Sequence, residues 1–163
     1  AVENFVNGRG ERLPLTSQEA LSVIKGLVSV SDPDEKDKIG EGLSAKLNVP
    51  GLIGALHELL GSYDELTEIA GMSHPRAVRR WESGIRSPQS SAVGEQFRLT
   101  LKLCAIIYDG QVSHIKDWFN GANPALRNKS PLELLTQRDL RGVSKFPEQL
   151  LSAAKDFQRA PVA

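Results

Sequence analysis

The chain repeats the signals that begin α-helices and lacks the alternating pattern of β-strands. In a capping box, a Ser or Thr hydroxyl and a Glu three residues later satisfy the first free amide donors of a helix. Three such pairs occur: Thr16 with Glu19, Ser62 with Glu65, and Ser130 with Glu133. Apolar side chains recur three and four residues apart, as on one face of a helix. Strict alternation of Val, Ile, Thr and Tyr is absent. We therefore expect an all-α fold.

Apolar periodicity and turn residues place the helices. We expect them near residues 16–28, 39–47, 52–60, 63–70, 73–84, 92–108, 112–119 and 130–135, and from 147 onward. The helix at 92–108 is apolar nearly all round in its second half. Such a helix must be buried, either in its own domain or against a second copy.

Composition limits the class of protein. The 163 residues include 20 basic and 20 acidic side chains and are 40% hydrophobic, which is enough for a packed core. A single cysteine, Cys104, excludes an internal disulfide, and its apolar surroundings predict a buried small side chain. Neither a membrane span nor a secretory signal is expected, so we expect a cytoplasmic protein.

Residues 64–84 have the pattern of a helix-turn-helix. Gly71 stands at the corner, with Met72 expected to anchor the turn and Ser73 to cap the second helix, whose first turn takes Pro75. Thr67 stands where such motifs usually carry a small alanine. The expected inward residues are Leu66, Ile69, Ala77, Val78 and Trp81.

The outward side of the second helix is basic. Residues 74–86 hold four arginines against one glutamate, a net charge of +3 in a chain whose net charge is zero. Arginine pairs with guanine acceptors or phosphate oxygens, which predicts DNA binding. The alternative is a helical hairpin with a solvated surface, and the acidic run Glu58, Asp64, Glu65 and Glu68 is expected to be solvated. The predicted DNA contacts are Ser73, His74, Arg76, Arg79, Arg80 and Arg86.

This segment resembles the helix-turn-helix of Xre/Cro-type repressors, most closely from Ser73 to its Trp-Glu-Ser-Gly ending at residues 81–84. Such motifs place the N-terminal half of the second helix in the major groove. They read paired half-sites as dimers, so the resemblance implies a homodimer on operator double-stranded DNA.

A second resemblance covers the C-terminal part. Trp-Phe at 118–119, Asn-Pro-Ala-Leu at 123–126 and Lys-Ser-Pro-Leu-Glu-Leu-Leu at 129–135 follow in the order of the toxin-binding domain of Xre/MbcA/ParS antitoxins. Members usually carry glycines where Arg127 and Asn128 stand here. The resemblance implies a type II antitoxin that covers the active site of a RES-domain, NAD-degrading toxin and represses its own promoter.

The residues implied in toxin binding are Trp118, Asn123, Pro124, Leu126, Lys129, Ser130, Pro131, Leu134 and Leu135. Leucines occur on more than one side of the short helix at 130–135, so some are expected to face a partner. The alternative is that they complete a small core under Trp118 and Phe157.

We therefore expect a helical N-terminal extension (1–50), a helix-turn-helix (51–90) and a toxin-binding domain (91–163). Two other functions stay open: a stand-alone repressor whose C-terminal domain dimerises, and a scaffold that uses the same helices for protein contact. The three histidines have no metal-ligand spacing, and no phosphate loop or catalytic constellation occurs. We expect a non-enzyme without a cofactor.

Overall fold

The computed structural model describes residues 15–159, and within that range the chain is helical and contains no β-strand. The predicted all-α class is confirmed. Residues 1–14 of the predicted N-terminal extension lie outside the described part. The helices are α1 (Ser17–Gly26), α2 (Pro33–Lys46), α3 (Val49–Leu60), α4 (Asp64–Ala70), α5 (Arg76–Glu82), α6 (Ser91–Ile107), α7 (Val112–Asn120), α8 (Pro131–Thr136) and α9 (Pro147–Arg159). Single 3-10 turns occupy Leu27–Ser29 and Pro124–Leu126.

Side-chain caps fix several helix starts. Thr16 and Glu19 form the predicted capping box at α1, and Ser130 accepts a hydrogen bond from the Glu133 amide at α8. The box expected at Ser62 and Glu65 is wrong. Ser62 instead donates to the Glu65 carboxylate at 2.5 Å. That carboxylate is buried rather than solvated.

Helix α6 is the centre of the fold. It packs against α2, α3, α4 and α9. Its second half is completely buried by these helices, so the apolar surface is covered within this chain and needs no second copy. Cys104 lies there as a buried small side chain, and burial raises the pKa of its thiol.

Gly40 explains how α2 and α6 approach so closely. A Cβ at this position would lie 3.0 Å from Ala105 Cβ and 3.3 Å from Lys102 Cα. Glycine weakens a helix by removing side-chain packing and adding backbone entropy. Here its missing side chain is what lets the two helix backbones meet.

One hydrophobic core runs through the described residues. Its members come from all three predicted segments: Ile24 and Leu43 from the first, Leu56 from the second, and Phe97 and Phe119 from the third. No helix in residues 15–159 is long and apolar enough to span a lipid bilayer.

Three helices are joined by one ion-pair cluster. Asp37 of α2 lies 3.0 Å from Lys102 Nζ of α6 and 2.8 Å from Lys155 Nζ of α9. Burial acts to raise the pKa of Asp37, but hydrogen bonds and charge from the two lysines outweigh it and lower that pKa. The carboxylate is therefore stabilised in its ionised form in the folded protein.

We expect Asp37→Asn to lower the free energy of unfolding by about 1–3 kcal/mol at pH 7, because two largely buried ammonium groups lose their partner. A lowered folded-state pKa contributes stability above the unfolded value, near 3.9, that is lost as pH falls through the folded value. The variant should therefore lose less stability than wild type on acidification below about pH 4.

Urea unfolding at pH 7 and at lower pH measures both effects. Glu41→Gln is the matched control, since Glu41 is exposed and lies 3.9 Å from the same Lys102. Its cost should stay below about 1 kcal/mol. Equal costs for the two variants would contradict a structural role for the Asp37 cluster.

Candidate functional site

Helices α4 and α5 form the predicted helix-turn-helix core. Gly71 adopts the left-handed conformation (φ +77°), and the Met72 amide donates to the Thr67 carbonyl at 3.0 Å, which closes the C-terminus of α4. The inward positions are confirmed. Leu66, Ile69 and Val78 are completely buried and Trp81 is nearly so, while Ala77 is half-buried.

Two details of the predicted turn are wrong. The Met72 side chain is 40% exposed, because the Met72 backbone amide rather than the thioether anchors the turn. Ser73 does not cap α5. The helix begins at Arg76, whose amide donates to His74 Nδ1 at 3.1 Å, so the imidazole takes the place of the expected hydroxyl.

The outward side of α5 is a basic surface. We call it the arginine face: Arg76, Arg79, Arg80 and Arg86. All four side chains are exposed, and none forms an ion pair with a carboxylate of the described residues. Ser73 and His74 are exposed beside them. The structure therefore brings the six predicted DNA contacts to one segment of the surface.

Tyr63 organises the arginine face from below, a role that no local sequence signal indicates. Its hydroxyl donates to Glu82 Oε1 at 2.5 Å, its ring stacks on His57 at 3.9 Å, and Arg79 lies 5.0 Å above the ring centroid. The hydrogen bond to the carboxylate raises the pKa of Tyr63. The single acid of residues 74–86, Glu82, is thus bonded to Tyr63 and neutralises none of the four arginines by direct contact.

Arg138, far along the chain, completes the end of α4. Its guanidinium donates to the carbonyls of Glu68 and Ile69, the latter at 2.9 Å. A Cβ at residue 71 would lie 3.1 Å from Arg138 Cζ, so Gly71 is needed for this contact as well as for the turn. A cation at a helix C-terminus satisfies free carbonyls and favours the helix dipole.

Gln96 connects the same helix to the C-terminal part. Its buried amide donates to the carbonyls of Ile69 (3.3 Å) and Leu135 (2.7 Å) and accepts from the Ser144 amide (2.8 Å). Each of these backbone groups lies at the end of a helix or in a loop, where no helical partner is available. Gln96 and Arg138 together fix α4 against the C-terminal helices.

The loop between α7 and α8 is tightly closed on Asn123. Asn123 Oδ1 accepts from the Ala125 amide, and its backbone pairs with Lys129 and Asn128 at 3.0 and 2.9 Å. Arg127 (φ +56°) and Asn128 (φ +65°) both take the left-handed conformation. Residues 123–130 form a surface that we call the docking loop.

The predicted toxin-binding residues divide by exposure. Pro124 and Lys129 are exposed, and Asn123 and Ser130 are half-buried. The other five are buried within this chain, so the expectation that the α8 leucines face a partner is wrong: Trp118, Leu126, Pro131, Leu134 and Leu135. The physical reason is that α4, α7 and α9 all pack against the six-residue α8 and cover its several apolar sides.

A pocket beside the docking loop still gives two of these leucines a surface. Leu126 and Leu134 line a cavity of about 290 Å³ together with Phe146, and Arg127 and Lys129 stand at its rim. Neither cation has a carboxylate partner among residues 15–159. An apolar side chain next to an acidic one would complement it.

Two surfaces therefore stand out, the arginine face and the docking loop. Among residues 15–159 no group of three His, Cys, Asp or Glu side chains is arranged to hold a metal ion. The chain matches no protein-family model, no curated protein and no solved structure.

Proposed function

We propose that this protein is an antitoxin that binds operator DNA through α5 and a RES-type toxin through its C-terminal part. The observation that carries the DNA-binding half is the arginine face: four exposed cations without carboxylate partners, on the outward side of a helix whose inward side is buried. A merely solvated surface would not need the only nearby acid, Glu82, to be held by Tyr63.

The proposed docking follows from the geometry of the segment. Helix α5 enters the major groove with the side chains of its first turn and a half toward the base edges, and α4 crosses the phosphate backbone. Arg76 and Arg80 lie four residues apart on one face of α5, so both forks reach the same groove. Arg79 is preoriented by its contact with Tyr63. A dimer on paired half-sites is part of the proposal.

The docking loop supports the antitoxin half. Arg127 and Asn128 hold the left-handed conformation at the two positions where the Xre/MbcA/ParS antitoxins, which this segment resembles, usually carry glycine. The loop thus keeps its shape with two side chains that project to the surface. The runner-up is a stand-alone repressor in which this loop contacts no toxin.

Co-expression with the product of the adjacent gene tests the antitoxin half. We expect rescue of growth and co-purification of the two proteins. Lys129→Glu should reduce capture at least about tenfold, since one rim charge worth about 1.4 kcal/mol accounts for that factor. Lys38→Glu, an equal charge change on exposed α2 surface, should not. DNA binding without any growth rescue would favour the stand-alone repressor.

A further inference from the structure

A second groove lies on the other side of the docking loop, and its chemistry differs from that of the basic pocket. It has a volume of about 420 Å³ and runs between the end of α7, the turn at Pro124–Leu126 and the end of α9. The residues that define its character are Asp117, Trp118, Pro124, Ala153, Asp156 and Phe157.

The rim of this groove is acidic. Asp117 and Asp156 are exposed, and neither carboxylate pairs with a cation in the part of the chain that the structure describes. Phe157 is 39% exposed between apolar walls made by Pro124 and Ala153. Two free carboxylates beside an exposed aromatic ring favour a Lys or Arg side chain, whose apolar stem packs on the ring while its charge meets the acids.

Trp118 adds an independent sign of a missing partner. The side chain is only 8% exposed and forms part of the groove wall, yet its indole Nε1 has no hydrogen-bond partner. Buried polar groups in folded proteins are almost always hydrogen-bonded, and a donor that is left unpaired is costly. A carbonyl of a bound segment would satisfy this donor.

We propose that this groove binds a basic segment of the toxin, with Lys or Arg between Asp117 and Asp156 and a backbone carbonyl accepting from Trp118 Nε1. The inference rests on the antitoxin half of the proposed function. The docking loop then lies between an acidic groove and a basic pocket, so the bound toxin surface is fixed in one direction.

Nuclear magnetic resonance of the indole groups tests the hydrogen bond directly. The chain contains only two tryptophans, Trp81 and Trp118, and therefore gives two indole N–H signals. On addition of the co-expressed toxin, the Trp118 signal should move downfield and exchange more slowly, while the Trp81 signal stays near its place. An unmoved Trp118 signal in the complex would overturn the proposal. So would a Trp118 shift caused by protein concentration alone, which would indicate a second copy in the groove.

Variants test the energetics in the same complex. Trp118→Phe keeps an aromatic ring but removes the donor, and should weaken toxin capture about tenfold or more while the unfolding transition stays close to wild type. Asp117→Asn with Asp156→Asn should weaken capture similarly and reduce its dependence on salt. Glu58→Gln with Glu95→Gln removes two exposed carboxylates elsewhere and should leave capture unchanged.

The outcomes separate the two levels of the account. If the wild-type chain does not capture the toxin, the antitoxin function and the groove both fail. If wild type captures it and both groove variants do so equally well, the groove proposal alone is wrong.

Discussion

Replacing Arg79 and Arg80 together with alanine is expected to weaken binding to duplex DNA from the upstream region of its gene by roughly 30-fold to 10⁴-fold. The range follows from about 1–3 kcal/mol for each arginine that reads a base, where every 1.4 kcal/mol is tenfold. Neither side chain has an internal ion pair, and only Arg79 has an aromatic contact, with Tyr63. The free energy of unfolding should therefore change by less than about 1 kcal/mol.

Fluorescence anisotropy at several salt concentrations measures this loss. An arginine that contacts only phosphate weakens binding to all sequences and reduces the salt slope by about one, whereas a base-reading arginine also relaxes specificity. Lys38→Ala with Lys145→Ala is the matched control, because it removes two exposed charges outside α4 and α5. Equal losses in the two double variants would show that only net charge matters and would contradict a specific DNA-reading face.

Gln96→Leu is expected to lower the free energy of unfolding by about 3–5 kcal/mol. Leucine fills a similar volume but leaves the carbonyls of Ile69 and Leu135 and the amide of Ser144 without this partner in the protein interior. Each buried group left unsatisfied costs about 1–3 kcal/mol, and Ile69 keeps a bond from Arg138, which limits the sum.

Urea unfolding measures the cost, and Thr100→Val provides the control. Thr100 lies one turn further along α6, is completely buried, and donates only to the Gln96 carbonyl. That carbonyl belongs to a helix, so the loss of the hydroxyl should cost less than about 1 kcal/mol. A Gln96→Leu protein as stable as Thr100→Val would mean that α4 is not fixed through Gln96.

Local sequence signals were sufficient for the features that are decided locally. The positions of Leu66, Ile69 and Val78 follow from helical periodicity, and Gly71 follows from the need for a left-handed residue at the corner. The burial of the helix around Cys104 follows from its apolar surface on all sides. In each case the deciding interaction lies within a few residues of the one that predicts it.

Features decided by distant partners could not be predicted. Gln96 binds groups 27, 39 and 48 residues away, and Arg138 reaches carbonyls 69 and 70 residues away, with no periodic pattern to indicate either. The burial of Leu134 and Leu135 depends on how many helices converge on α8, which its six residues do not encode. An aspartate at either position would consequently test folding rather than toxin binding.

Amide chemical-shift mapping with operator duplex tests the central claim most directly, because it locates the DNA on the protein without any substitution. The account predicts that the largest shifts fall in residues 73–86 and that residues 121–129 stay near their free positions. Adding toxin to the same sample should then move residues 117–130 and 157 while the shifts in α5 persist. Large DNA-induced shifts centred on the docking loop, with α5 unaffected, would contradict the assignment of DNA and toxin to separate surfaces.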